Sequence, residues 1–243
     1  MNAIGIIPAR YGSTRFEGKV LADLMGKPVV QHVYEMAKRA KMLDDLIIAT
    51  DDDRIMKAVK EFGGKAVLTS VDQPTGTDRL AEVVNPIDTR IIINIQGDEP
   101  FIHQSMIDEL VRTMLDDEGI NMATVIKKIK DKNEIMDSNV VKAVIDKNGY
   151  ALYFSRSPIP FERDRQSDCF YKHLGLYGYT KDFLYTFTNL PKTELEKTES
   201  LEQLRALEHG YRIKTIETKL DTVGIDTPED LEKAKKVLLE REA

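Results

Sequence analysis

The stretch Ile4-Gly5-Ile6-Ile7-Pro8-Ala9-Arg10-Tyr11-Gly12-Ser13-Thr14-Arg15-Phe16-Glu17-Gly18-Lys19 decides the fold of this chain of 243 residues. The apolar run Ile4 to Ile7 reads as a buried strand, and a polar loop with glycines, small hydroxyls and cations follows it directly. Working outward, Val29, Val30, Val33, Met36, Ala37 and Ala40 lie at helical spacing after Pro28. Leu46 to Thr50 is a second strand, followed by a helix from Asp52 to Phe62 that carries Ile55, Met56, Ala58 and Val59. Ala66 to Thr69 and Ile91 to Ile95 read as further strands, separated by a short helix starting near Thr77. Strands alternating with helices predict a parallel sheet covered on both faces, with strand ends aligned along one ligand-binding edge.

The second half changes character. Val140 to Asp146 and Tyr150 to Ser155 flank Lys147-Asn148-Gly149, which predicts an antiparallel hairpin. A β-rich run, Lys172 to Thr180, follows the polar stretch Glu162 to Asp168. A helix is expected from Thr193 to His209 and a strand from Tyr211 to Thr218. The last helix has Thr227 as N-cap, Pro228 in the first position and Glu229 and Asp230 in the first turn. The class is α/β, a doubly wound half followed by a mixed segment that adds strands and a dimer surface. Without a repeat or linker, residues 1–243 form a single domain.

Composition narrows the partners. Hydrophobic residues are 42% and charged residues 31%, as in a globular protein. Net charge is 35 − 41 = −6, so no general basic surface invites nucleic acid, and an anionic substrate must be held by a few local cations. The single Cys169 excludes an internal disulfide and suits a reducing compartment. The first apolar stretch is too short for a signal peptide, and no run approaches the roughly 18 apolar residues of a membrane span. A soluble cytoplasmic protein with no membrane partner is expected.

Three motifs carry chemistry. The loop after the first strand combines Gly12 and Gly18 with Ser13, Thr14, Arg10, Arg15 and Lys19, a set suited to a triphosphate. It is neither a Walker A loop nor a dinucleotide fingerprint, and any one of its cations reads equally well as part of a solvated basic loop. Ile92-Ile93-Asn94-Ile95-Gln96-Gly97-Asp98-Glu99-Pro100 is a strand ending in glycine and carboxylate, which puts Asp98 where Mg²⁺ could be held. Asp98 or Glu99 reads equally as the cap of a following helix. Asp226, before the last helix, offers a matching carboxylate. Thr75-Gly76-Thr77-Asp78-Arg79 opens a helix, either as hydrogen-bonding groups for a base or sugar or as a plain junction.

These motifs are joined by Tyr150-Ala151-Leu152-Tyr153-Phe154-Ser155-Arg156, Lys172-His173-Leu174-Gly175-Leu176-Tyr177-Gly178-Tyr179, Leu201-Glu202-Gln203-Leu204-Arg205 and Gly224-Ile225-Asp226-Thr227-Pro228-Glu229-Asp230. Together, across essentially the whole chain, they resemble the cytidylyltransferases that activate 3-deoxy-manno-octulosonate, an acidic eight-carbon sugar of lipopolysaccharide. The resemblance implies a Rossmann-like nucleotide-diphosphosugar transferase fold, three-layer α/β/α with a mixed sheet and an inserted dimerisation segment. It implies a homodimer, with a CTP-binding half over 1–125 and a sugar-binding and dimerisation half over 126–243. Arg10, Ser13, Arg15 and Lys19, with Pro8 and Ala9, match the triphosphate loop. Gln96 and Arg79, with Thr75, Gly76 and Thr77, match positions that recognise the cytosine nucleotide. Asp98 and Asp226 match two Mg²⁺ carboxylates and, with Arg10 and Lys19, form the catalytic set. Arg156, His173, Tyr177, Glu202 and Gln203 match the sugar pocket.

The implied reaction is in-line attack of the sugar's anomeric hydroxyl on the α-phosphate of CTP, with release of pyrophosphate. The alternatives are the 8-amino version of the same sugar, another acidic sugar, or a nucleotide-binding module that has lost its chemistry. Relatives often carry Leu-Pro-Gly-Lys-Pro-Leu where this chain has Phe16-Glu17-Gly18-Lys19-Val20-Leu21. Losing both prolines removes backbone restriction. Limited proteolysis is therefore expected to cut the loop without CTP and to spare it with CTP; equal cleavage in both states would count against loop mobility. His32, His103 and His209 lack ligand spacing, and Cys169 has no neighbouring base that marks it as a nucleophile.

Overall fold

The computed structural model describes residues 1–13, 15–163 and 169–242. Thr14 of the polar loop and residues 164–168 of the polar stretch lie outside the described residues. The first half comprises β1 (Ala3–Ala9), the short β2 (Asp23–Leu24) and β3 (Lys27–Pro28), α1 (Val29–Ala37), β4 (Asp45–Thr50) and α2 (Asp53–Glu61). It continues through β5 (Ala66–Leu68), α3 (Gly76–Val84), β6 (Ile91–Asn94) and α4 (Gln104–Asp116). The second half comprises β7 (Met122–Lys128), α5 (Lys132–Met136), β8 (Lys142–Ile145), β9 (Ala151–Ser155), β10 (Tyr171–Thr180) and α6 (Lys181–Asn189). It closes with α7 (Glu194–Glu199), α8 (Gln203–Glu208), β11 (Lys214–Thr218) and α9 (Pro228–Glu242).

The main sheet runs β11-β7-β10-β6-β1-β4-β5, with β8 paired to β10 and to β9. β1 is parallel to β4 and β6, and β4 to β5, as the alternating pattern predicts. β10 enters antiparallel between β6 and β7, which makes the sheet mixed. The predicted hairpin is β8–β9, antiparallel.

Strand alternation builds two cores. Ile7, Ile48, Ile91 and Ile93 join α1 and α4 side chains on one face. Ile4, Ile6, Ile47 and Ile92 join Leu80 and Val84 of α3 and Phe183 and Phe187 of α6 on the other. Leu174 and Leu176 of β10 belong to the first core, so the two halves of the chain share it. A third cluster packs Ile225 and Ala234 of the C-terminal segment against Leu24, Val29 and Phe101, and Phe16 of the polar loop leans on it.

Two corrections apply. The single helix expected from Thr193 to His209 is two helices, because Ser200 adopts a left-handed conformation, φ 53°, and stops α7. A buried Arg205–Glu196 pair, 2.8 and 2.5 Å, holds the bend. The elements α4, β7 and α6 went unread, although Met106, Ile107, Leu110, Val111 and Met114 of α4 lie at helical spacing and are buried.

Candidate functional site

The order of the strands places the site. The chain leaves β1 toward β4 on one side and later returns to β6 on the other, so a crevice opens at the carboxyl ends of β1 and β6. The two ends approach closely: a Cβ on Gly97 would lie 2.8 Å from the Pro8 carbonyl oxygen, so only glycine fits. Two cavities meet there and share Pro8, Gly76 and Gln96 as lining.

The first cavity, about 390 Å³, is lined by Arg10, Ser13, Arg15, Lys19 and Asp98 among others. The Lys19 ammonium donates to Asp98 Oδ2 and, at 2.7 Å, to Asp226 Oδ1. Arg15 approaches Asp226 Oδ2 at 3.0 Å. Burial alone would lower the Lys19 pKa, but Asp98 and Asp226 override it and raise the pKa, so the group is a cation throughout the neutral range. The two carboxylates thus lie within reach of one small cation, although far apart in sequence. The Ile225 amide also donates to the Asp98 carbonyl at 2.8 Å, which fastens the two segments together. Neither Asp98 nor Glu99 caps α4; the N-cap is His103, whose Nδ1 accepts from the Ser105 amide. Glu99 is half-buried beside Asp98, and its pKa is pushed up to about 8 by loss of solvation first and then by Asp98 and Asp226.

The polar loop is braced from behind by the β4–α2 turn. The Arg54 guanidinium lies 3.2 Å from the centre of the Tyr11 ring, and the Tyr11 carbonyl accepts from the Gly18 amide at 2.8 Å. Gly18 needs its φ of 69°, a conformation that would strain other residues. Asp51, at the end of β4, accepts from Arg79 at 2.6 Å and approaches Arg10 Nε at 3.8 Å.

The second cavity, about 260 Å³, is lined by His173, Tyr177, Glu202 and Gln203 together with Asn94 and Thr77. His173 Nε2 lies 3.0 Å from Thr124 Oγ1, whose single proton is directed to the Leu176 carbonyl at 2.9 Å. His173 therefore donates from Nε2, and burial pushes its pKa down to about 3. Thr77 Oγ1 donates to Glu202 at 2.6 Å, and burial raises the Glu202 pKa. Tyr177, also buried, has its pKa pushed upward by the same cause.

Several sequence-predicted residues stand elsewhere. Ala9 is buried in the core beneath the loop. Thr75 lines neither cavity; it is the N-cap of α3 in a capping box with Asp78, an arrangement worth about 1 kcal/mol. Arg79 is fully buried and bonds Asp51, Thr69 and the Ser70 carbonyl, so it meets the site only through Asp51. Arg156 lines neither cavity of this chain; its guanidinium donates to the Glu199 and Ser138 carbonyls. Sequence reading missed Asp51 and Asn94. Asn94 alone left a signal: it is a polar residue in an otherwise apolar strand.

Comparison with known proteins places this geometry. The family model "Cytidylyltransferase" matches residues 4–217. A protein of Geobacter sulfurreducens named 3-deoxy-manno-octulosonate cytidylyltransferase is 52% identical over 96% of this chain and 98% of its own length. One of the same name from Geotalea uraniireducens is 53% identical over 96% and 97%. The solved structure of CMP:2-keto-3-deoxy-manno-octonic acid synthetase complexed with CTP superposes with TM-score 0.95 at 42% identity, covering 99% of this chain and 100% of that one. A cytidylyltransferase from Leptospira borgpetersenii, 17% identical with TM-score 0.68, covering 99% and 87%, shares the fold.

Proposed function

Because the chain belongs to the 3-deoxy-manno-octulosonate cytidylyltransferase family, we propose that it transfers the cytidylyl group of CTP to that sugar and releases pyrophosphate. The observation that carries this reading is the junction of two cavities at Pro8, Gly76 and Gln96. One cavity presents cations and Asp98, with Asp226 beside it across Lys19, and the other presents rings, amides and the Glu202 carboxylate group. A triphosphate in the first and a sugar acid in the second would meet at the shared residues. Arg10, Arg15 and Lys19 would neutralise phosphate charge, and the walls would hold the anomeric hydroxyl in line with the α-phosphorus. The described lining of the nucleotide-facing cavity comes from residues 1–125, with Asp226 reaching Lys19 from the second half, and the other cavity draws on both halves. The base itself would fall to Gln96, Gly76 and Thr77, with Arg79 acting through Asp51.

A magnesium ion fits the donor set. Asp98 and Asp226 supply hard oxygens that already share one ammonium, and phosphate oxygens of the nucleotide would complete the ion's shell. Bound there, it would supply charge neutralisation and lower the pKa of a coordinated hydroxyl. The proposal extends to a homodimer formed through the second half, where Met136, Leu152 and Phe161 are exposed. No helix among the described residues is long and apolar enough to cross a membrane, and we place the enzyme in the cytoplasm, in lipopolysaccharide biosynthesis.

The test is pyrophosphate release from purified protein with CTP, Mg²⁺ and 3-deoxy-manno-octulosonate, beside the 8-amino sugar and a chelator control. Release that needs CTP, metal and sugar is expected, with preference for the ordinary sugar. Release with the 8-amino sugar alone would move the specificity, and CTP binding without release from either would leave a binding module.

A further inference from the structure

We propose that Asn94 is a further specificity-determining residue, whose side-chain carbonyl accepts a hydrogen bond from one hydroxyl of the sugar acid in the second cavity. The inference rests on the function proposed above. Asn94 closes β6, where it pairs with Ile6 of β1 on one side and Tyr177 of β10 on the other. The alternation of β6 turns Ile91 and Ile93 to one core and Ile92 to the other, and Asn94 follows Ile92 onto its face. An apolar side chain would serve packing at that position; an amide needs partners.

Asn94 is only 4% exposed, and its side chain hydrogen-bonds the Tyr179 hydroxyl, as does Thr77. Its Oδ1 has no partner among the described residues, yet Asn94 lines the cavity. A buried acceptor left unpaired is costly, so a ligand that supplies the donor gains what the folded chain forgoes. Gln203 repeats the situation with opposite polarity. It is 5% exposed, lines the same cavity, and its Nε2 has no partner among the described residues. Glu202 between them is already engaged by Thr77 and Arg205.

An unpaired acceptor and an unpaired donor in one small cavity match a polyhydroxylated ligand, because each hydroxyl both donates and accepts. An ammonium offers donors alone and leaves Gln203 unpaired.

The experiment is a panel of monodeoxy sugar acids, read as kcat/KM for pyrophosphate release, with the wild-type enzyme, Asn94→Leu and Asn94→Asp. Wild type is expected to lose roughly 30-fold with one analogue. Asn94→Leu should lose roughly 30-fold with the complete sugar, lose nothing further with that analogue, and keep the wild-type KM for CTP. Asn94→Asp, which retains an acceptor oxygen, should keep its dependence on the same hydroxyl. Multiplicative losses with every analogue, or a raised KM for CTP, would overturn the assignment. The wild-type panel decides even where a variant does not fold: no analogue costing more than about 3-fold rules the contact out. Absence of release with the complete sugar would instead overturn the function on which it rests.

Discussion

Asp98→Asn is expected to lower kcat by roughly 10³-fold or more while the protein stays folded. The side chain is about a quarter exposed, at the rim of the phosphate-facing cavity and outside the core. Its tie to the rest of the fold is the backbone bond in which its carbonyl accepts from the Ile225 amide, and asparagine keeps that bond. Lys19 also retains Asp226 as a charged partner. What disappears is one of two negative charges, and with it one of the two carboxylates proposed to share magnesium with the triphosphate. A neutral amide is a poor ligand for so hard an ion. Thermal melts beside single-turnover pyrophosphate release separate the two effects: an unchanged melt with a collapsed rate is the expected pair. Near-normal turnover would remove Asp98 from the chemistry, and a lost melt would make it structural.

The parts of this protein that could be read from sequence are those whose signals are local. Ile4 to Ile7 and the loop behind it are legible because a strand's apolar run and its turn chemistry lie within one stretch. The β8–β9 hairpin announces itself through Asn148-Gly149 in the same way. The convergence of Asp98 and Asp226 is not local. It depends on Ile225, just before α9, and Ala234 of α9 packing against Leu24 and Phe101, contacts between segments far apart along the chain. Arg79 shows a different limit: a cation near a helix start suggests ligand, but its side chain turns into the protein and finds Asp51 and Thr69 there. The bend at Ser200 carries no glycine to mark it, and it is held by a pair, Arg205 and Glu196, that exists only once the bend has formed. At Arg79 and at Ser200 tertiary packing, and not propensity, selects the conformation, unlike α4, whose buried residues lie at helical spacing.

His173 gives the second large effect, on stability and not on rate. Its unfolded pKa is near 6.5, and burial among Phe154 and Tyr177 depresses the folded value to about 3. The folded state therefore holds the neutral ring, and the unfolded state binds the extra proton between those two values. Stability from this group is complete above pH 6.5 and is lost as pH falls from there toward 3. By linkage the loss reaches about 3 kcal/mol at pH 4.5. Other groups titrate over the same range, so the useful quantity is a difference. His173→Gln keeps a donor toward Thr124 and cannot titrate. Chemical denaturation of both proteins from pH 7 to about 4.5 should show the wild type losing roughly 2–3 kcal/mol more than the variant. Parallel losses would mean that the ring gains a proton inside the folded protein, and hence that water or a charged partner reaches the cavity wall. The expected result would mean that His173 stays a neutral ring across the working pH range, its Nε2–H given to Thr124 and Nδ1 left as an acceptor, so that acceptor KM carries no inflection near 6.5 from this residue.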